Sequence, residues 1–146
     1  MTGTGAFSWS DAFLVGFAPM DDVHHAFVEH VDALLACPDA EVLERLRAFA
    51  RHAETHFGAE LRWMQESAFP ATQCHAGEHA AVLASVGDVM RLVEAGDAGI
   101  ARRLAAALAD WFPGHADHMD AGLARWLASP RPERPTSACG RAETER

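Results

Sequence analysis

The sequence predicts an all-α protein, an antiparallel up-down four-helix bundle with an irregular N-terminal arm and a disordered C-terminal tail. Apolar residues recur at intervals of three and four in four successive segments, which is the spacing of one helix face. No segment alternates apolar and polar residues at period two, as a half-buried strand would. Because the breaks between the segments are short, consecutive helices are expected to be antiparallel neighbours.

The first half of the chain is predicted to contain the arm and two helices. Residues 1–19 form the arm, because three glycines and a proline interrupt any helical period, while its aromatic residues would pack it across the bundle. Helix one is predicted to follow Asp21 as its N-cap and to run to about Ala36. Pro38 opens helix two, which is predicted over residues 38–66.

The second half of the chain is predicted to contain two further helices. Pro70 suits the first turn of helix three, and Gly96 ends that helix. Asp97 can cap helix four at its N-terminus. Pro113 and Gly114 interrupt the pattern of helix four, and a kink is expected there because proline lacks a backbone donor and clashes with the preceding turn.

One domain is predicted over residues 1–128, followed by a Pro-rich, charged tail over residues 129–146 that should be disordered. The net charge of −9 and the absence of lysine leave no basic patch, which argues against nucleic acid and anionic lipid as partners. No signal-peptide pattern begins the sequence, and no apolar run reaches the roughly 18 residues of a membrane span. The sequence therefore predicts a cytoplasmic protein without membrane insertion.

The three cysteines are expected to be reduced thiols. Cys37, Cys74 and Cys139 are odd in number, lie far apart and form no CxxC motif. This pattern favours neither a disulfide framework nor a thiolate zinc site. A redox role for Cys74 is the less favoured alternative.

Nine histidines in a chain of this length are its most unusual feature. Each of the four predicted helices carries a histidine on its inward, otherwise apolar face, and two of the helices add an acidic residue. These candidate metal ligands are His24, His56, Glu60, His75, His79, His115 and Asp120. His75 and His79 are four residues apart, so they project side by side and can bind one metal ion. His56 and Glu60 repeat that spacing on helix two.

A single histidine on an apolar face is more often a core residue satisfied by a hydrogen bond. Here seven polar side chains converge, and each one left unpaired would cost about 1–3 kcal/mol. Metal coordination would satisfy them together. Five imidazoles and two carboxylates exceed the three or four protein ligands of a zinc site, so two metal ions bridged by the carboxylates fit better. A zinc site, or a structural bundle with incidental histidines, is the weakest alternative.

The chain resembles the bacterial hemerythrins over about residues 9–127, in the stretches WSDAFLVGFAPMDDVHHAF, HFGAELRWM, FPATQCHAGEH and WFPGHADHMD. The HxxxE, HxxxH and HxxxxD elements and the upstream histidine all fall in the register of that family. The resemblance implies two iron ions with separate histidines. One iron would be bound by His75, His79 and His115. The other would be bound by His24 and His56, and the bridging carboxylates would be Glu60 and Asp120.

The resemblance also implies a function, the reversible binding of dioxygen for storage, delivery or sensing, at an open position on the second iron. The register of the family places four residues around the oxygen site: Phe27, Trp111, Phe112 and Ala116. The sequence departs from the family at Phe69, where tyrosine is common, and at Leu61, where a second glutamate often follows the ligand. Ala116 stands where a bulky aliphatic residue is usual, and this could admit water and hasten autoxidation.

Two other functions remain open at this stage. The first is an enzyme, namely a di-iron oxidase, a peroxidase or a nitric-oxide-handling protein. The second is a redox or iron sensor that acts through a protein partner recruited by the tail. The histidines outside the ligand set are expected to have minor roles. His25 points about 100° away from His24 and should face solvent. His30 and His52 are expected on the surface, and His118 is a candidate hydrogen-bond partner of a ligand.

Overall fold

The structure is a computed structural model and describes residues 7–129. Four long helices follow one another along the chain: α1 (Ala18–Ala36), α2 (Val42–Glu66), α3 (Thr72–Glu94) and α4 (Ala98–His115). A π-helical turn, Ala116–Asp120, joins α4 to the short helix α5, Ala121–Ala128. Single 3-10 turns, Asp11–Phe13 and Asp39–Glu41, precede α1 and α2. The predicted tail, with its suggested partner, lies outside the described residues.

The helices pack as a ring of four. α1 and α3 each pack against both α2 and α4, so every long helix contacts its two neighbours in the bundle. Residues 7–129 contain no strand. The predicted all-α, antiparallel four-helix bundle is therefore confirmed. Within the same residues, none of the helices is long and apolar enough to cross a membrane.

The start of α1 differs from the prediction, because Asp21 is not its N-cap. The helix begins at Ala18, with Pro19 in its first turn, where the fixed φ of proline suits a helix start. Asp21 lies inside that turn and its carboxylate points back to the preceding loop. It accepts hydrogen bonds from the backbone N–H of Val15 at 2.8 Å and of Gly16 at 3.2 Å. Asp21 therefore fastens the arm to α1.

The ends of α3 are close to the predicted positions. The helix begins at Thr72, so Pro70 lies in the turn before it rather than in its first turn. Gly96 follows the helix with a φ of +113°, a conformation that glycine adopts without steric cost. Asp97 caps α4 as predicted, since its Oδ1 accepts from the backbone N–H of Ile100 at 3.1 Å.

The arm packs across the bundle as expected. Phe7 and Phe13 meet the buried ring of Phe112 edge-on, with centroids 6.2 and 5.3 Å away. The backbone N–H of Phe7 donates to Asp32 Oδ1 at 3.0 Å, which ties the arm to the middle of α1. These contacts cover one side of the bundle interior with aromatic rings.

Two apolar clusters fill the bundle interior, and polar residues lie between them. The larger cluster includes Phe27, Phe57 and Ala116, whereas the smaller consists of Met20, Met64 and Leu123. Three polar side chains each fall between a member of the larger and a member of the smaller cluster along the chain, namely His24, Glu60 and Asp120. The fold thus places a polar layer inside an otherwise apolar core.

The irregularity in the last long helix lies further along the chain than predicted. α4 continues through Pro113 and Gly114, and the regular hydrogen bonding changes only at the π turn that starts with Ala116. Residues five apart in an α-helix point about 140° apart, at 3.6 residues per turn. A π turn has wider hydrogen bonding, from residue i to i+5, and brings such residues to one face. His115 and Asp120 can therefore both point inward.

The cysteines only partly match the expectation of reduced thiols. Cys37 is free and buried, and its Sγ lies 3.9 Å from the carbonyl oxygen of Leu34. Cys74 is disulfide-bonded, so the expectation is wrong for that residue. A disulfide depends on Cα atoms about 4.4–6.8 Å apart, which neither the number of cysteines nor their spacing in sequence reveals. Cys139 lies outside the described residues.

Candidate metal centre

The structure brings all seven predicted ligands together in the polar layer. Each of these side chains is buried, with no more than 6% of its surface exposed. They come from all four long helices and the π turn: His24, His56, Glu60, His75, His79, His115 and Asp120. The seven residues that were predicted to share an inward face therefore form a single cluster of donor atoms.

Glu60 occupies the middle of this cluster, and its two oxygens face different histidines. Oε1 lies 3.4 Å from Nε2 of His75 and 3.5 Å from Nε2 of His79. Oε2 lies 2.9 Å from Nε2 of His56 and 3.5 Å from Nε2 of His24. The carboxylate therefore stands between a pair of histidines on α3 and a pair from α1 and α2.

The two oxygens of Asp120 also face different histidines. Its Oδ1 lies 2.9 Å from Nε2 of His75 and 3.4 Å from Nε2 of His115, whereas its Oδ2 lies 3.0 Å from Nε2 of His24. Nε2 of His79 and Nε2 of His115 are 3.1 Å apart. Each carboxylate thus touches a three-histidine group with one oxygen and a two-histidine group with the other.

Donor atoms within each group lie within 4.8 Å of one another. The three-histidine group comprises His75, His79, His115, Glu60 and Asp120. The two-histidine group comprises His24, His56 and, again, Glu60. Glu60 belongs to both groups, which is the property required of a ligand that bridges two metal ions.

The hydrogen bonding inside the cluster is incomplete, as expected of residues that hold a metal. Nε2 of His24 and Oε1 of Glu60 are fully buried, and although they lie 3.0 Å from Oδ2 of Asp120 and 3.4 Å from Nε2 of His75, neither contact has the geometry of a hydrogen bond. Buried polar atoms are almost always paired, and an unpaired one costs about 1–3 kcal/mol. Both atoms point into the cluster, and imidazole and carboxylate donors suit first-row divalent metal ions. The residues are therefore compatible with a metal site.

Aromatic rings enclose the two-histidine group. Phe112 is fully buried and meets the ring of His24 edge-on at 5.2 Å. Phe27 stacks on Phe112 at 5.0 Å and meets His56 edge-on at 6.0 Å. Ala116 is buried in the same apolar cluster. Two of the four residues predicted to surround the oxygen site, Phe27 and Phe112, therefore lie beside the two-histidine group.

The rings near the three-histidine group are arranged differently. Trp111, the fourth predicted pocket residue, stacks on His115 with centroids 4.2 Å apart. Phe57 stacks on His79 at 3.9 Å, with an interplanar angle of only 7°. Trp111 thus lies against a ligand of the three-histidine group, and Phe57 is a further ring at the site that was not predicted from the sequence.

A family model described as the Hemerythrin HHE cation binding domain matches residues 15–127, most of the described part of the chain. The chain belongs to the hemerythrin family. A bacteriohemerythrin from Ralstonia nicotianae is 38% identical to it over 125 residues, which cover 86% of this chain and 91% of that relative. The family resemblance recognised in the sequence is therefore confirmed.

Solved hemerythrin structures share the fold. The crystal structure of a wild-type hemerythrin matches with a TM-score of 0.77 at 21% identity, covering 85% of this chain and 99% of the other. A leucine-to-alanine variant of a hemerythrin matches with a TM-score of 0.79 at 21% identity, covering 86% of this chain and all of the other. At this level of identity the likeness establishes the hemerythrin bundle itself.

Two side chains outside the predicted ligand set contact ligands of this hemerythrin bundle, and neither was predicted from the sequence to do so. Nδ1 of His115 lies 2.9 Å from Oε1 of Glu78, and Nδ1 of His56 lies 3.3 Å from Nε2 of His52. The spacing of four between His52 and His56 could have revealed the second contact. Glu78 carries no such signal, because it lies on a different helix from His115.

The other histidines are placed as follows. His25 is exposed and stacks on Trp9 at 3.6 Å, which confirms that it faces away from the site. The expectation of surface positions is wrong for His30 and His52, since both are half-buried and their rings lie 4.9 Å apart. His118 is exposed, and Glu78 takes the place expected for it beside His115.

The carboxylates set the protonation of the metal-free cluster. Burial alone would lower the pKa of His24 and His75, but their contacts with Asp120 and Glu60 outweigh burial and raise both pKa values to about 9. Burial raises the pKa of each carboxyl group, yet their histidine partners hold the pKa values of Glu60 and Asp120 below the usual range. Burial is the main cause that lowers the pKa of His79 to about 3.

These pKa shifts predict that the metal-free protein is most stable near pH 6.5. The stability contributed by the raised pKa of His24 and His75 is present below pH 6.5 and is lost as the pH rises toward 9. The lowered pKa values of His79 and His52, both about 3, have the opposite effect, so their contribution is lost as the pH falls below 6.5. Urea unfolding across this range should give a maximum, and a steady rise or fall would contradict the prediction.

Loading the protein with zinc provides the control for this experiment. The metal displaces the protons from His24 and His75, so the alkaline loss of stability should disappear. The loss of stability at acid pH should become steeper, because protons compete with the metal for every imidazole. Both changes are read from the same urea unfolding curves.

Proposed function

We propose that this chain binds dioxygen reversibly at a centre of two iron ions. The hemerythrin family binds oxygen at a di-iron site. The observation that supports the same role here is the way in which both carboxylates divide their oxygens between two unequal histidine groups. In this proposal His75, His79 and His115 bind one iron, His24 and His56 bind the other, and Glu60 and Asp120 bridge them.

The unequal number of histidines assigns different roles to the two irons. With three histidines and two carboxylates, the first iron would have all its protein ligands. The second iron, held by two histidines and the same carboxylates, would keep a position for oxygen. Two adjacent ferrous ions, once bound there, would supply the electrons that reversible binding of dioxygen requires. The rings of Phe27 and Phe112 lie beside this second group and exclude water from it.

The charges around the site favour reversible binding over oxidase or peroxidase chemistry. Cleavage of an O–O bond is helped by a side chain that can deliver a proton. Among residues 7–129, Asp21 is the one buried charged residue outside the proposed ligand set. Its carboxylate accepts hydrogen bonds from the backbone N–H groups of residues 15 and 16. Asp21 is thus engaged with the loop before α1, and the described part of the chain has no other buried charged side chain outside the proposed ligand set that could deliver a proton.

The test is an oxygenation cycle. The reduced protein is loaded anaerobically with ferrous iron, oxygen is admitted, and visible absorption is recorded before and after oxygen is removed. The proposal predicts an absorption band that appears with oxygen and disappears on its removal over repeated cycles. Irreversible oxidation in the first cycle, or rapid consumption of added peroxide, would instead indicate an enzyme.

Replacing Ala116 by isoleucine is expected to slow autoxidation several-fold. Ala116 is buried in the same apolar cluster as Phe27 and Phe112, and a larger aliphatic side chain at this position would leave less room for water. The measurement is the rate at which the oxygenated absorption band decays. An Ala106→Ile variant changes an exposed position on α4 and serves as the control. An Ala116→Ile protein that folds normally and decays as fast as the wild type would contradict the expectation.

A further inference from the structure

His52 touches the proposed ligand set without belonging to it. Its Nε2 lies 3.3 Å from Nδ1 of His56, whose other nitrogen lies 2.9 Å from Oε2 of Glu60. The two nitrogens of the His56 ring therefore face opposite directions, one toward the centre and one toward His52. A histidine that binds metal through Nε2 carries its proton on Nδ1, and that proton needs an acceptor.

Neighbouring rings hold His52 in place for this contact. His30 on α1 lies 4.9 Å from it, centroid to centroid, with an interplanar angle of 32°. Phe27 lies 6.3 Å away on the same helix as His30, and the ring of His56 meets that of His52 edge-on at 5.2 Å. Because these rings lie around it, His52 has little freedom to turn away from His56.

The two histidine groups thus have different outer contacts. On the three-histidine side, the carboxylate of Glu78 accepts from Nδ1 of His115. On the two-histidine side, the corresponding partner of His56 is the imidazole of His52. The two groups therefore differ in the chemistry of the acceptor as well as in the number of histidines.

We propose that His52 is a positioning residue, which accepts the Nδ1 proton of His56 and so orients Nε2 of His56 toward the second metal ion. The proposal rests on the two-metal function proposed above. It assigns His52 a role in holding the metal at the position that takes oxygen. His52 itself contacts neither the metal nor oxygen.

The test is a titration of metal-free protein with cobalt(II), whose visible absorption reports the ligands around it. His52→Phe keeps an aromatic ring but removes the acceptor, and should weaken binding of the second cobalt ion about 10–100-fold while leaving the first unchanged. His52→Gln retains an acceptor oxygen and should recover most of the lost affinity. His25→Gln, which changes an exposed histidine that stacks on Trp9 away from the site, is the control and should bind both ions as the wild type does.

Two results would overturn the proposal. The first is wild-type binding of both cobalt ions by a folded His52→Phe protein. The second is an equal loss of affinity in His52→Gln and His52→Phe, since that would mean that the ring and not its acceptor nitrogen matters. Cobalt(II) is not required to bind oxygen in this assay. The titration can therefore fail while the oxygenation cycle succeeds, or succeed while the cycle fails, so the two proposals are tested separately.

Discussion

Replacing Glu60 by glutamine is expected to reduce iron binding from two ions per chain to one or none. Glu60 is fully buried, and each of its oxygens faces a different histidine group, so the substitution removes a negative charge from both metal positions at once. A carboxamide offers one oxygen and one nitrogen donor group, and cannot bridge two cations as a carboxylate does. The measurement is the ratio of iron to protein after anaerobic loading and removal of free metal.

Glu54→Gln is the matched control, because Glu54 lies on the same helix but is exposed. It should retain two irons. Asp120→Asn tests the second bridge in the same way, and its control is Asp117→Asn, an exposed carboxylate in the same π turn. A Glu60→Gln protein that keeps both irons would show that Glu60 is not a bridge.

Replacing Phe112 by alanine is expected both to lower the free energy of unfolding and to shorten the lifetime of the oxygenated protein. Phe112 is fully buried and contacts Phe27 and His24, as well as Phe13 of the arm. Truncation of a buried phenylalanine costs about 3–5 kcal/mol of unfolding free energy. The space left beside His24 would also let water reach the oxygen site, so oxygenated protein should decay faster. Urea unfolding and the decay of visible absorption measure the two effects.

Phe49→Ala separates these two consequences. Phe49 is also fully buried, but the ring it meets, at 5.5 Å, is Phe27 and not a proposed ligand. Its truncation should destabilise the bundle by a similar amount and leave the oxygenated lifetime close to that of the wild type. If both variants shortened the lifetime equally, general loosening of the bundle would be the cause, and Phe112 would have no special role.

Helical spacing explains why so much of the site could be predicted from the sequence. A position on a helix fixes the direction in which its side chain points, so the apolar face favoured His24 over its neighbour His25 as a ligand, and the family register agreed. The structure places His24 in the cluster and His25 on the surface against Trp9. The pairs separated by four residues on α2 and α3 follow the same rule.

Asp120 shows where this rule fails. Five residues separate it from His115, and a regular α-helix would point the two side chains about 140° apart. Family register assigned Asp120 to the ligand set, but only the π turn explains how it reaches the site. The sequence marks a disturbance nearby with Pro113 and Gly114, yet neither residue specifies that the change is one of hydrogen-bond register.

Contacts between helices could not be predicted from spacing at all. The carboxylate of Glu78 on α3 contacts His115 on α4, and neither this contact nor the disulfide of Cys74 can be read from spacing along the chain, because both depend on distances in space. The hydrogen-bond partner of Asp21 could not be predicted either, even though that partner is nearby in the sequence. An acidic residue near a helix start can cap the helix or bind the preceding loop, and the choice depends on where the loop lies.

The most direct test of two unequal histidine groups is Mössbauer spectroscopy of the iron-loaded, oxygenated protein, together with an iron assay on the same sample. The account predicts two irons per chain and two quadrupole doublets of equal area, because one iron has three histidines and the other has two histidines and oxygen. One iron per chain, or a single doublet from equivalent irons, would contradict it.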